Sequence, residues 1–236
     1  MVTAVDEPEL ADLDPFELIA TEADRIDRFY RNLSDAQWRA PTRCAGWTRR
    51  DLLAHLAGVE DYTAAGLAGE VRALLSRAGN GGMDEVNSWG IAQRAYLSNL
   101  DLLREWRALV EKNDAAMRER GPRASIDTSV GPYPVGRQAF YVACERAIHA
   151  DDAGVPVSGS EAESRLDWRL RFARAAVTEV RHGRVGVVAD RGAQIVRLGE
   201  DEVRLPDEQF VEAVSGRLAP EVDVPQRMRE ALAVLA

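Results

Sequence analysis

Apolar residues recur every three or four positions through most of the chain, and at every second position in a stretch near its end. Leu18, Ile19, Ile26, Phe29 and Tyr30 predict a helix over about 13–33. Ser34-Asp-Ala-Gln37 reads as a capping box opening a short turn, with Trp38 covering the end of a bundle. Pro41 and Gly46 break the pattern. Thr48-Arg-Arg-Asp51 is a second capping signature and opens a helix that carries His55 and runs to about residue 75. Ala78-Gly-Asn-Gly-Gly-Met83 reads as a flexible connection near the mouth of a site. It is not a phosphate loop, because no Gly-Lys-Ser/Thr follows. A long helix over 84–118 carries Trp89, Tyr96, Leu100, Leu103 and Leu109 as a discontinuous apolar stripe, and Gly121-Pro122 ends it. Gly131-Pro-Tyr-Pro134 forms a rigid approach to a further helix that includes residues 141–152.

Four long helices with connections of varied length predict a four-helix bundle over residues 1–153, a scaffold that builds metal sites from facing side chains. A break falls at Gly154-Val-Pro-Val-Ser-Gly-Ser160, and the period changes after it. A helix over 161–181 leads to alternating runs at 185–190, 193–198 and 202–205, with turns at Asp190-Arg-Gly192 and Gly199-Glu-Asp201. Pro206 and Pro225 each open a further helix. The fold class is therefore mainly α: a bundle followed by a small α+β C-terminal domain over 161–236.

Composition narrows the function. Hydrophobic residues at 46% and charged ones at 29% describe an ordinary globular protein. The formal net charge of −9 argues against a nucleic-acid binder, which needs a concentrated basic face. No apolar run is long enough for a membrane span, and Met1-Val-Thr-Ala-Val-Asp-Glu-Pro8 lacks a signal-peptide pattern, so a cytoplasmic location is expected. Residues 1–12 read as loose. The two cysteines, Cys44 and Cys144, form no disulfide framework and read as small buried residues. Arg43, Arg49 and Arg50 read as solvated surface or, less simply, as an anion site.

Candidate chemistry concentrates in Tyr141-Val-Ala-Cys-Glu-Arg-Ala-Ile-His-Ala-Asp-Asp152. On a helix, Tyr141, Glu145, His149 and Asp152 share one side. A carboxylate and an imidazole at this spacing can hold one divalent ion, although such a pair alone is commonly a surface ion pair. Histidine is scarce here, with three in the chain, and a second one, His55, shares a helix side with Leu52 and Val59 and faces a core. His55 taken alone fits a buried neutral imidazole bonded to a carbonyl. Two inward histidines plus a glutamate match a three-ligand site with one position open. Asp152 is placed either to orient the His149 imidazole or as a solvated helix-end carboxylate. His182 reads as a loop histidine without a role.

Two stretches carry a family resemblance. Pro41-Thr-Arg-Cys-Ala-Gly-Trp-Thr-Arg-Arg-Asp-Leu-Leu-Ala-His-Leu-Ala-Gly58 resembles the first signature of mycothiol-dependent maleylpyruvate isomerases, in the DinB-like superfamily. Asp127-Thr-Ser-Val-Gly-Pro-Tyr-Pro-Val135, with Glu145-x-x-x-His149-x-x-Asp152 after it, resembles the second. The resemblance spans about residues 15–155 and is weak beyond them. It implies a DinB-like bundle in which His55, Glu145 and His149 hold a divalent metal, most simply zinc. It also implies mycothiol or another low-molecular-weight thiol as cofactor. Arg217, in Ser215-Gly-Arg217, resembles the arginine by which the family's C-terminal domain reaches toward substrate or thiol.

The implied activity is isomerisation or S-transfer on a small electrophilic metabolite, by a monomer or homodimer. Two alternatives stay open. One is hydrolysis by metal-activated water at the same site. The other is a binding protein whose metal only braces the bundle, for which a fourth protein ligand would be the sign.

Overall fold

Asp14 caps the first helix, its carboxylate accepting the Phe16 N–H at 2.8 Å, and Pro15 occupies the first helical position. The resulting helix, α1 (Pro15–Arg31), buries Phe16, Ile19, Ala23, Ile26 and Tyr30, an alternation of three- and four-residue steps that makes one continuous stripe. The structure, a computed structural model, describes residues 8–79 and 83–235. The expected capping box at Ser34 and Gln37 forms and opens α2 (Asp35–Trp38), where Trp38 is buried against Tyr30. Thr48 and Asp51 form the second box and open α3 (Arg49–Ala68). Next come α4 (Val71–Ala78), α5 (Met83–Ala92) and α6 (Asn99–Arg120). A two-stranded antiparallel pair, β1 (Ser125–Ile126) and β2 (Tyr133–Pro134), leads directly into α7 (Val135–Ala153).

Two long helices expected from the pattern are each broken. The helix through His55 stops at Gly69, whose φ of 74° is left-handed and costs glycine little, and α4 restarts after it. The stretch 84–118 divides between α5 and α6, where Ser98 accepts the Asp101 N–H and sets a new N-cap. Leu103 stays in the core, while Tyr96 and Leu100 are 82% and 57% exposed. The connection expected at 78–83 falls partly on residues 80–82, which lie outside the described residues, as do residues 1–7.

Helices α1, α3, α6 and α7 form the four-helix bundle, with α1 against α7 and α3 against α6 as the most extensive pairings. Leu52, Leu53, Leu56, Leu102, Leu103, Trp106 and Val110 fill its core together with Ile26 and Tyr30. Alanines at 139, 143, 147, 150 and 153 make α7 slender, and it is buried on nearly every face. Gly66 permits a further close approach: a Cβ there would lie 2.6 Å from the Asp127 carbonyl oxygen, and its own carbonyl accepts the Asp127 N–H.

The chain divides into two compact units. The first holds 14–79 and 83–156, and the second holds 8–13 and 157–235 among the described residues. The second unit begins its ordered part with α8 (Gly159–Arg181), followed by an antiparallel meander of β3 (Gly186–Ala189), β4 (Ala193–Leu198) and β5 (Asp201–Pro206). Arg191 and Gly192 both have positive φ, at 43° and 77°, which is the two-residue turn that suits the strand twist. Helices α9 (Asp207–Val214) and α10 (Gln226–Leu232) complete a separate core around Val177, Val196, Leu205, Phe210, Val214 and Met228. Residues 8–13 join this unit through Glu9 and Asp12, which bond Arg171 and Arg174. Among the described residues, no helix is long and apolar enough to cross a membrane.

Candidate metal centre

The capping box fixes where α3 begins, and with it the height of His55. Tyr133 and Pro134 fix the entry of α7, and four residues of helix then separate Glu145 from His149. Across the bundle the three side chains converge. His55 Nε2 lies 3.0 Å from Glu145 Oε1 and 3.1 Å from His149 Nε2, and His149 Nε2 lies 3.2 Å from Glu145 Oε1. The three donor atoms thus make a nearly equilateral triangle.

That triangle fits a metal ion. Ligand bonds of about 2.0–2.1 Å in a tetrahedral zinc site imply donor-to-donor edges of about 3.3 Å, close to the edges seen here. Two imidazoles and a carboxylate are also the donor chemistry that zinc and its neighbours accept. Both histidines are buried, at 5% and 6% exposure, while the Glu145 side chain is 31% exposed, so the triangle is reached from the Glu145 side. Among the described residues no fourth carboxylate, thiol or imidazole joins these three donors.

Electrostatics couple the set. Burial opposes ionisation of Glu145, but the adjacent His149 and His55 outweigh it and hold the carboxyl well below the usual carboxylate range. Burial likewise opposes charge on His149. The Glu145 carboxylate, together with the ring's own contacts to Asp152 and Cys44, outweighs that and holds the imidazole well above its ordinary value. Both directions share one cause, the attraction between the Glu145 carboxylate and the His149 ring, and a metal binding at His149 Nε2 would compete with a proton there.

Behind His149 stands Asp152, 3% exposed, whose Oδ2 accepts the His149 Nδ1–H at 3.1 Å. Asp152 is thus buried against His149 rather than solvated at the helix end, and the ring that turns Nδ1 to it has Nε2 at the triangle. Trp47 covers the other histidine, with its ring centroid 5.0 Å from that of His55. Tyr141 lies one turn before Glu145 and packs on Tyr133, at 6.1 Å between centroids.

Other expectations are corrected. Cys144 is buried, as expected, but Cys44 is only partly so and its thiol sits 3.1 Å from Asp152 Oδ2. The expectation of a small buried residue failed there because Cys44 lies in a loop, and its contact reaches a helix more than a hundred residues later. Arg49 and Arg50 are clamps rather than solvated surface or an anion site. Arg49 donates to the Ala153 carbonyl, and Arg50 donates to the carbonyls of Arg94 and Leu97. Helix ends leave carbonyls unpaired, and these guanidiniums satisfy them. Arg217 belongs to the second unit, after α9, and donates to the Ser215 carbonyl at 3.1 Å. His182 ends α8 in a left-handed conformation, φ 49°.

Trp47 and Cys44 were missed as site residues by sequence reasoning. Both lie in the stretch that carries the first signature, eight and eleven residues before His55, and that proximity was the available signal.

Comparison with known proteins gives three findings. The family described as the mycothiol maleylpyruvate isomerase N-terminal domain matches residues 19–154. Two solved structures resemble the chain over 96% of its length and 98% of theirs, at 18% identity. They are the mycothiol-dependent maleylpyruvate isomerase, with a TM-score of 0.64, and a histidine-to-alanine mutant of it, with 0.62. At that identity the likeness establishes the fold. No curated protein matches the chain.

Proposed function

The chain belongs to the mycothiol maleylpyruvate isomerase N-terminal domain family, and from that premise we propose that it is a metal- and thiol-dependent enzyme, an isomerase or S-transferase for a small electrophilic metabolite. The single observation that carries this reading is the triangle of His55 Nε2, Glu145 Oε1 and His149 Nε2, with edges of 3.0–3.2 Å and a half-open carboxylate side. Three protein donors are the catalytic pattern for zinc, whereas structural zinc is commonly closed by four.

A divalent ion held by His55, Glu145 and His149 would lower the pKa of a coordinated thiol such as mycothiol, so that its proton leaves to solvent and the thiolate can serve as a nucleophile toward an activated alkene or a carbon bearing a leaving group. The chain's own residues do the rest. His55 and His149 present their Nε2 lone pairs, and Glu145 supplies one negative charge. Two neutral imidazoles and one carboxylate leave a divalent centre with about one net positive charge, which favours an anionic fourth ligand. Asp152 fixes the tautomer of His149 by taking its Nδ1–H. Trp47 shields His55 from water on the loop side. Arg217 enters on the resemblance alone, as the guanidinium that would pair with a substrate or thiol oxygen.

The test combines metal content with thiol binding. Wild type should hold about one divalent ion per chain, most of it lost in His149→Ala while the helical circular dichroism stays near wild type. Titrating the zinc-loaded protein with mycothiol in buffers of differing ionisation enthalpy should show proton release on binding, and His55→Ala should be silent. Undiminished metal in both histidine variants would remove the site. Metal without any thiol binding would leave metal-activated water as the surviving chemistry.

A further inference from the structure

The loop between α2 and α3 brings a thiol to the back of the metal centre. Cys44 Sγ donates to Asp152 Oδ2 at 3.1 Å and lies 3.8 Å from His149 Nδ1. The same Asp152 oxygen accepts the His149 Nδ1–H, so one oxygen ties thiol and imidazole together. The loop is itself fixed. The Cys44 N–H donates to Thr42 Oγ1, the Trp47 N–H to the Cys44 carbonyl, and the Arg43 N–H to the Asp152 carbonyl at 3.1 Å. Loop and helix end are thus held together through the main chain at Arg43, through the Cys44 thiol on Asp152 Oδ2, and through the Arg43 guanidinium 3.9 Å from Asp152 Oδ1.

We propose that Cys44 is a positioning residue for the metal centre: its S–H pins the Asp152 carboxylate and, through it, the ring of His149. This rests on reading the three facing donors as a metal site. A carboxylate rotates about a broad, two-fold torsion, so one donor fixes it poorly and a second on the same oxygen fixes it well. The consequence appears at Nε2. If the carboxylate swings, the imidazole turns, and one corner of the 3.0–3.2 Å triangle moves.

A rival use of the same atoms is direct ligation, since Cys44 Sγ, His149 Nδ1 and Asp152 Oδ2 lie within 4.8 Å of one another. That would ask His149 to serve ions from both nitrogens as an imidazolate. The hydrogen-bonded arrangement needs only the neutral ring, with Nδ1–H toward Asp152.

The test compares full-length Cys44→Ala and Cys44→Ser with wild type, by zinc affinity in competition with a chromophoric chelator and by zinc stoichiometry. In the metal-free proteins it also follows the His149 Nδ1–H resonance, readily assigned in a chain with three histidines. Alanine should weaken zinc binding about 10-fold, the low end for a partner behind a ligand because a thiol is a weak donor, and should broaden the resonance by exchange. Serine keeps a donor and should restore most of both. The proposal is overturned if alanine matches wild type, or if serine does no better than alanine. It is also overturned if wild type binds two zinc ions and alanine one, which would make the thiol a ligand. Should wild type bind no zinc at all, the metal reading fails by itself, and the metal-free resonance still decides whether Cys44 holds the His149–Asp152 contact.

Discussion

At Arg146 a full positive charge sits inside the bundle, 1% exposed, one residue beyond Glu145 and therefore about 100° around α7 from the metal face. Its guanidinium donates to both oxygens of Asp114, to Glu60 Oε1 and to the Ile19 carbonyl, all within 2.8–2.9 Å. Burial opposes its charge, but the carboxylates of Glu60 and Asp114 more than offset that. Removing it strands two acids, one of them 1% exposed. Arg146→Ala should therefore cost about 3–5 kcal/mol in urea denaturation. A loss under about 1 kcal/mol, typical of a surface pair, would contradict this assignment. Nothing local to residue 146 announces the network, because its partners lie 32, 86 and 127 positions away. Glu145 and His149 differ in this respect. Their pairing is a property of helical spacing, and the scarcity of histidine brought His55 into the same argument. Cys44 and Trp47 had no periodic signal, since each acts from a loop across to a helix.

At the scale of elements, caps and left-handed glycines were legible where they bounded a helix cleanly, as at the opening by Thr48 and the close at Gly154. They were passed over inside apolar runs, as at Gly69 and Ser98, where the pattern seemed to continue across the break. Periodicity is insensitive to a short interruption, and only the phase of the exposed side chains reveals it. Packing between elements was still less visible. Gly66 lies in mid-sequence of a helical pattern, yet the backbone at Asp127 approaches it so closely that a Cβ would meet the carbonyl oxygen at 2.6 Å. Gly66→Ala would normally favour a helix. Here it should destabilise by about 1–3 kcal/mol, the range for overpacking, and lower the melting temperature. A stabilised variant would show that the Asp127 turn moves aside freely.

For the molecule as a whole, the change of hydrophobic period after residue 160 made two regions legible, and the meander with its tight turn followed from Asp190-Arg-Gly192. The placement of residues 8–13 was not legible, because residues 1–12 read as loose until the bonds of Glu9 and Asp12 to Arg171 and Arg174 and the burial of Leu10 are seen. We propose that the two units are separate folding domains joined at 156–160. Val155 is buried with the bundle core, while Pro156, Ser158, Gly159 and Ser160 are exposed. Limited proteolysis should release the second unit by cleavage there, and first cleavage within the 186–206 meander with that connection intact would contradict it.

The central claim is an ion held by two imidazoles and one carboxylate, with its remaining position open to a thiol. X-ray absorption at the zinc edge, on the zinc-loaded protein with and without mycothiol, reads that shell directly. Without thiol the account predicts only nitrogen and oxygen neighbours at about 2.0–2.2 Å, and with thiol one added sulfur at about 2.3 Å. A sulfur neighbour already present without thiol, or none after saturation with it, would contradict the account.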